Sequence, residues 1–336
     1  MSELGKVDRA FFEEVIYPNL GADRGDVRLG PTHGVDFGVI DVGGRAVVIA
    51  TDPLSILPQL GFERAGRLAL DVVLSDVAVS GVAPTHLTVS LTLPPEMSDG
   101  ELAATWRGMA GRAADLGVSV VAGHTARYAG VEYSWVGGAT AFGVGDPDEI
   151  VRPDGARPGD AVVVSTGPAA EIAGLFSTLF GDRLDLAAGD LESARERLED
   201  IPSVEDALAA VAAGDVSAMH DATEGGVRGG LDEMARGAGV RIDVERSAVP
   251  VADGVEAVCE SVGVDPWSVT SSGTLLVTVA PEDADAVVSA LRARGTLAAV
   301  VGTVSEGAGA YLDGDRIDPP SVDPSWAAFA ELAGLE

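Results

Sequence analysis

Met219-His220-Asp221-Ala222-Thr223-Glu224-Gly225-Gly226-Val227-Arg228-Gly229-Gly230 gathers an imidazole, two carboxylates, a hydroxyl and two glycine pairs into one short stretch. An apolar run, Asp215-Val216-Ser217-Ala218-Met219, precedes it, and a helix-like pattern, Leu231-Asp232-Glu233-Met234-Ala235-Arg236, follows. The order predicts a strand that meets a helix N-terminus. Backbone N–H groups and the helix dipole at such a junction favour an anion such as phosphate, and glycines let a ligand approach the backbone. The simplest alternative is a capped helix start, with Asp221 or Thr223 as N-cap and Glu224 in the first turn. The concentration of polar types beside glycines tilts the whole segment toward a site.

Outward from this stretch, the patterning divides the chain in two. Gly38-Val39-Ile40-Asp41-Val42 and Ala46-Val47-Val48-Ile49-Ala50 flank Gly43-Gly44, a hairpin signature, and Thr51-Asp52-Pro53 is read as the end of the second strand. A helical pattern runs from about Phe62 to Val82, Thr85 to Leu93 alternates as a strand, and Asp99 to Leu116 is helical. Val118 to Ala122 and Tyr133 to Gly143 read as further strands. The Pro-, Gly- and charge-rich stretch from Asp146 to Asp160 marks the join. Beyond it come a buried strand at Ala161–Ser165, helices at Ala169–Phe180 and Ser203–Ala213, and a charged loop-and-helix region at Gly181–Asp200. Strands at Val240–Val244, Thr274–Val279, Ala298–Val304 and Ala310–Leu312, with a helix at Glu282–Arg294, complete the second half. Hairpins mixed with helices in both halves argue for two α+β domains, 1–150 and 151–336, rather than one doubly wound sheet.

Composition narrows the function. With 53 acidic against 22 basic residues the net charge is −31, which disfavours nucleic acid and anionic membranes as partners. Lys6 is the one lysine, so a phosphate loop of the Gly-Lys-Ser/Thr kind is excluded. A Schiff-base lysine would have to be Lys6, in an N-terminal segment that reads as a surface helix. Arginines and carboxylates in place of lysines fit a cytoplasm of very high salt, so a halophilic, cytoplasmic protein is expected. No secretory signal or long uncharged apolar run is present. Cys259 is the single cysteine, set in a helical apolar pattern, and core packing is expected of it.

Four aspartates stand at strand ends or in apolar surroundings: Asp36, Asp52, Asp76 and Asp221. Mg²⁺ takes a few carboxylates together with substrate phosphates and water, and aspartates from separate elements suit Mg-nucleotide binding. Each alone is equally a cap or turn residue, except Asp76, whose apolar helix stretch demands a partner for the carboxylate. His124, in Gly123-His124-Thr125 at the end of a predicted strand, is a ligand, an acid/base group or a turn residue. His33 lies in a Gly/Pro loop able to fold over phosphates, and His86 is an ordinary strand-start residue. The absence of Gly-x-Ser-x-Gly and of paired histidines disfavours a serine hydrolase and a histidine zinc site.

These residues resemble the superfamily of aminoimidazole ribonucleotide (AIR) synthases, the PurM-like proteins, and within it the hydrogenase expression/formation proteins of HypE type, including archaeal members. Val35-Asp36-Phe37-Gly38 resembles the family's acidic N-terminal motif, and Ala50-Thr51-Asp52-Pro53 its Thr-Asp strand end. Ser75-Asp76-Val77-Ala78-Val79-Ser80-Gly81-Val82-Ala83-Pro84 is similar to its Asn-Asp-Leu-Ala-x-x-Gly-Ala-x-Pro helix. Met219 to Gly226 resembles the HypE-type Met-Arg-Asp-Pro-Thr-Arg-Gly-Gly, and Cys259 to Pro266, followed by Ser271-Ser272-Gly273, resembles a further HypE-type run. The resemblance implies a homodimer closed through the N-terminal sheets, with ATP and Mg²⁺ as cofactors. It places Asp36, Asp52 and Asp76 on the metal side, and Thr125, Thr223, Gly225 and Gly226 beside the nucleotide. Asp221 faces the same cleft in that resemblance; with His220 and Glu224, which stand beside the family's Asp–Thr–Gly–Gly positions, and His124, it is a catalytic candidate, and the general base is left open among the last three. The implied reaction phosphorylates an amide or related oxygen of a small-molecule or carrier-protein substrate. A thiamine-monophosphate-type kinase and a nucleotide-binding regulator without turnover are the alternatives. Val35 and His124 depart from acidic family positions, which leaves the metal count open. The sequence ends Gly334-Leu335-Glu336 in place of the Pro-Arg-Ile-Cys tail of HypE-type factors, so cyanide-ligand synthesis in its usual form is not expected.

Overall fold

The computed structural model describes residues 7, 9–199, 201–319 and 321–334; Lys6 lies outside them. The described N-terminal residues begin with a short helix α1 (Arg9–Phe11), a π turn and a 3-10 turn ending at Asn19, and they are mostly exposed, as a surface helix should be. The chain forms two compact units. One comprises Asp26–Gly30 and Asp36–Ile150; the other comprises the described residues of Met1–Gly25, Pro31–Val35 and Val151–Glu336. Each mixes helices with one sheet, so the architecture is two-domain α+β.

The first unit contains, in chain order, β1 (Val27–Leu29), β2 (Gly38–Val42), β3 (Arg45–Ser55), α2 (Phe62–Ala78), β4 (Pro84–Leu93), α3 (Asp99–Asp115), β5 (Ser119–Arg127) and β6 (Trp135–Gly145). Its strands lie in the order β1-β2-β3-β6-β4-β5, leaving β5 at one edge. The hairpin forms as the sequence predicts: Val42 faces Arg45, and Gly43 and Gly44 take φ of +63° and +84°, the left-handed pair a two-residue type I′ turn requires. Strand β3 does not stop at Pro53 but runs to Ser55. Pro53 faces Gly138, and an irregularity between Pro53 and Ser55 accommodates the missing N–H. Helix α2 ends at Ala78, short of Val82, because the chain turns through Gly81 at φ +78°. Strand β5 continues past Ala122 to Arg127, paired with β4 as far as Leu93.

Alternate residues of β3, Ala46, Val48, Ala50 and Leu54, are buried, and α2 covers that face. Gly143 lies opposite Val48, and a Cβ there would come within 2.9 Å of Val77 on α2. Helices α2 and α3 cross backbone to backbone, since a Cβ at Gly66 or Gly108 would strike the Thr105 or Glu63 carbonyl. Beside that crossing an ion pair joins Arg112 of α3, 3% exposed, to Asp71 of α2, 0% exposed. Removing one member of such a pair strands a charge in a low-dielectric interior.

The second unit adds β7 (Ala161–Ser165), α4 (Ala170–Phe180), α5 (Ala188–Glu196), α6 (Ser203–Ala213), β8 (Val216–Asp221), α7 (Gly226–Ala238), β9 (Arg241–Val244) and α8 (Val255–Ser261). It closes with β10 (Leu275–Val279), α9 (Ala284–Ala293), β11 (Ala298–Ser305), β12 (Gly309–Leu312), β13 (Asp315–Arg316) and α10 (Pro324–Ala333). The strand order is β13-β12-β9-β11-β7-β10-β8, and β7, β8 and β10 are buried along their whole lengths. Val227, Leu231, Met234 and Ala235 of α7 pack on one face against Val162, Val164, Leu276 and Val304. On the other face Val287 of α9 and Val279 of β10 close around Gly214. A second cluster joins Phe176 of α4, Ala194 of α5, Val258 and Cys259 of α8, and Ala328 of α10. The region 181–200 is therefore less solvated than its charge suggests, with Ala194 fully buried; Asp200 lies outside the described residues. No helix among the described residues is long and apolar enough to cross a membrane.

Two outcomes follow from this packing. Arg112→Leu leaves Asp71 buried without its arginine and lowers stability by about 3–5 kcal/mol, read as a fall in the urea midpoint at unchanged slope. Cys259 is 1% exposed, and burial, aided by Asp265 and Glu256, pushes its thiol up to about 12. The folded protein at pH 8 will therefore leave a thiol-reactive dye untouched, and unfolding will release one reactive equivalent.

Candidate functional site

The segment 219–230 adopts the strand–turn–helix path that its pattern predicts, and the alternative of a capped helix start does not hold. Asp221 ends β8, paired with Leu275, and His220 pairs with Leu276. The helix starts at Gly226, its N-cap is Gly225 at φ +81°, and no side chain of the cap residue contributes. Asp221 and Thr223 are therefore not caps, and Glu224 precedes the helix rather than entering its first turn. The amides of the turn are spent inside the chain. Thr223 N donates to Asp221 O at 3.1 Å and Gly226 N to Thr223 O at 2.9 Å. Gly225 N donates to the Asp323 carboxylate at 2.9 Å. Gly226 has no space for a side chain, because a Cβ would stand 2.5 Å from Val269 O and 2.9 Å from Trp267 O.

His220 and Asp221 are each 2% exposed, whereas Thr223 and Glu224 are half-buried. The His220 ring lies between β8 and α7, where its Nε2 is 2.8 Å from Glu233 Oε2. A Cβ at Gly230 would press on the ring and on Leu276, so the glycine makes room for both. The other Glu233 oxygen is 3.8 Å from His33 Nδ1, and Asp221 Oδ1 is 3.9 Å from His220 Nδ1. Glu233 thus bridges two imidazoles. The Gly/Pro loop that carries His33 belongs, over Pro31–Val35, with the second unit and is closed on itself by the Thr32–Val35 bridge. Beside Glu233, burial raises the Asp232 carboxyl, and Arg236 at 2.8 Å opposes the shift.

In the first unit the structure sorts the remaining candidates by sheet face. Asp52 pairs with Ala139, Ala139 with Val89, and Val89 with Gly123, so these four share a row and a face. That face carries α2, and Asp76 is buried on α2 at 7% exposure. Thr125, two residues from Gly123, is on the same face and lines a groove of about 330 Å³ with Leu91, Leu102, Ala103 and Trp106. His124 points to the opposite, open face, where its Nε2 is 3.0 Å from the Tyr128 hydroxyl. Three strand spacings, about 14 Å, separate the Asp52 row position from β5. His124 is therefore inside a strand, not at its end, and is not brought to Asp52. Asp36 is half-buried just before β2.

Two residues at the site carried no sequence signal. Glu233 sits in an ordinary amphipathic helix, thirteen positions from His220, and Asp323 is 98 positions from Gly225. Local spacing does not encode either contact.

Residues 34–145 match the N-terminal domain of AIR synthase related proteins, and residues 157–315 match the C-terminal domain. Carbamoyl dehydratase HypE of Rhizobium leguminosarum bv. viciae is 34% identical over 289 residues, covering 81% of this chain and 77% of its own. The crystal structure of E. coli HypE, a hydrogenase maturation protein, has a TM-score of 0.71 at 27% identity, covering 83% of this chain and 87% of that one. A HypE solved in complex with ATP has a TM-score of 0.67 at 22% identity, covering 95% and 96%. Both halves match in order, and the chain belongs to the AIR synthase related protein family, with its N-terminal and C-terminal domains in succession.

Proposed function

We propose that this protein is an ATP- and Mg²⁺-dependent enzyme of HypE-like type that phosphorylates an amide or related oxygen of a small-molecule or carrier-protein substrate. The observation that carries the reading is the placement of Asp52 and Asp76 on facing layers of the N-terminal unit, one on the sheet and one on the helix that covers it. Both fall where the sequence resembles the family's acidic motifs. Their donors are carboxylate oxygens, which fit a hard cation such as Mg²⁺. Asp36, Asp52 and Asp76 would hold the metal, with Thr125 of the same unit toward the nucleotide. Mg-ATP, when bound, supplies the transferable phosphoryl group and neutralises part of its charge.

The rest falls to the chain's own side chains. Asp221 and His220 are too buried to meet a substrate without rearrangement, and His220 is engaged by Glu233; together they orient the β8–α7 junction. Glu224, half-buried in the turn just before α7, is our choice among the junction's acid–base groups for taking the proton of the acceptor oxygen. A HypE solved with ATP supports nucleotide binding within this fold, and a HypE relative named as a carbamoyl dehydratase supports dehydration as the reaction class. The edge strand β5, with Val120 and Val121 exposed at 40% and 57%, supports a homodimer through the N-terminal sheets.

ATP hydrolysis by the purified protein should require Mg²⁺ and should fall by at least about 10²-fold in Asp76→Asn, on the metal side, and by about 10²-fold in Asp221→Asn, through a displaced β8–α7 junction. Wild-type turnover in both variants would sink the proposal. Light scattering should give a dimer for the wild type and a monomer for Val121→Lys, since a charge on a paired edge blocks association.

A further inference from the structure

Asp323 is 5% exposed and uses both carboxylate oxygens on backbone amides. Oδ1 accepts from Ser325 N at 2.8 Å and caps α10. Oδ2 accepts from Gly225 N at 2.9 Å and reaches the start of α7. We propose that Asp323 is a positioning residue of the candidate site, a carboxylate delivered by the C-terminal helix that fixes the Thr223–Gly226 turn. The idea rests on the function proposed above for that turn.

The local sequence supplies no cap for α7, and Gly225 itself has no side chain to offer. An anionic acceptor at a helix N-terminus is favoured by the dipole and forms a charge-assisted bond. Asp323 does not replace that cap; it holds the N-cap residue itself, through the Gly225 amide, from a distant, anchored element. Phe329 of α10 packs edge-on against Phe180 at 5.4 Å, Ala328 enters the cluster around Phe176, and Arg183 donates to the Leu332 carbonyl. On its other side the turn is closed by the Val269 and Trp267 carbonyls against Gly226. Ala222 N donates to Thr274 O at 2.9 Å and Ser271 N to Ala222 O at 3.0 Å, tying down the preceding residue. The turn that carries Thr223 and Glu224 is thus gripped from two sides, and only one grip is local to the sheet.

The same contact assigns the α7 N-terminus. Its Gly225 amide is occupied by a carboxylate of the chain, so a phosphate oxygen meets negative charge there rather than an open donor. Asp323 thereby sets where the Thr223 and Glu224 side chains stand.

The test compares Asp323→Ala, Asp323→Asn and Phe329→Ala in the full-length chain, with circular dichroism confirming folding. Hydrogen exchange at the Gly225 amide should accelerate about ten- to a hundredfold in Asp323→Ala. Its kcat for Mg-ATP hydrolysis should fall by about tenfold or more while KM for ATP moves much less. Asp323→Asn keeps a carbonyl acceptor and should restore most of both. Phe329→Ala, which loosens α10 but keeps the carboxylate, should affect Gly225 exchange less than Asp323→Ala does. Unchanged Gly225 exchange in Asp323→Ala overturns the proposal, and so does faster exchange with unaltered kcat. A wild type without ATP turnover overturns the functional reading instead, while the exchange comparison still decides the clamp.

Discussion

Two ionisable side chains, His220 and Asp221, end a strand that is buried from its first residue to its last, and the C-terminal unit is arranged around that fact. Water is denied to them, so the protein must supply their hydrogen bonds. Helix α7 therefore carries Glu233 over the His220 ring, and Gly230 on the same helix surrenders its side chain so the ring can lie there. Helix α7 must also begin close to β8, which is why the connecting turn is short, glycine-built and held from elsewhere. A site made in this way is stiff at its base and half-exposed at Thr223 and Glu224, a useful combination where reacting groups must be held still.

The N-terminal unit solves a different problem. One sheet face is covered by α2, which α3 locks in place through the Asp71–Arg112 pair and glycine-to-backbone crossings, and it opens at the groove beside Thr125. The other face is uncovered and mixed, with Thr51 and Thr140 hydroxyls 2.9 Å apart beside Val47, Ile49 and Val144, and His124 exposed. The chemistry-bearing residues are divided between them by the two-residue period of the strands. Neighbours in sequence, His124 and Thr125, serve different faces.

Periodicity alone yielded the hairpin, most of the helices and the two α+β halves, because each of those rests on local patterning. It failed where tertiary partners decide. Strands β3 and β5 ran beyond their apolar cores since their neighbours extend that far, and α7 absorbed Gly226, Gly229 and Gly230, residues that argue against a helix in isolation. The family motifs located the acidic positions by order along the chain. The apparent cap at 221–224 was misleading because the true acceptor for Gly225, Asp323, comes from a helix with no visible link to the motif.

The segment Pro31–Val35 has a consequence for how the molecule is made. It lies between β1 and β2 of the first unit but belongs with the second, where Gly34 leaves room for the Glu233 side chain. Those two positions are 199 residues apart (233 − 34). At ribosomal speeds, roughly 10–40 s pass between their syntheses. The N-terminal strands thus emerge with a loop whose resting place does not yet exist, and closing it is among the last and most non-local steps of folding.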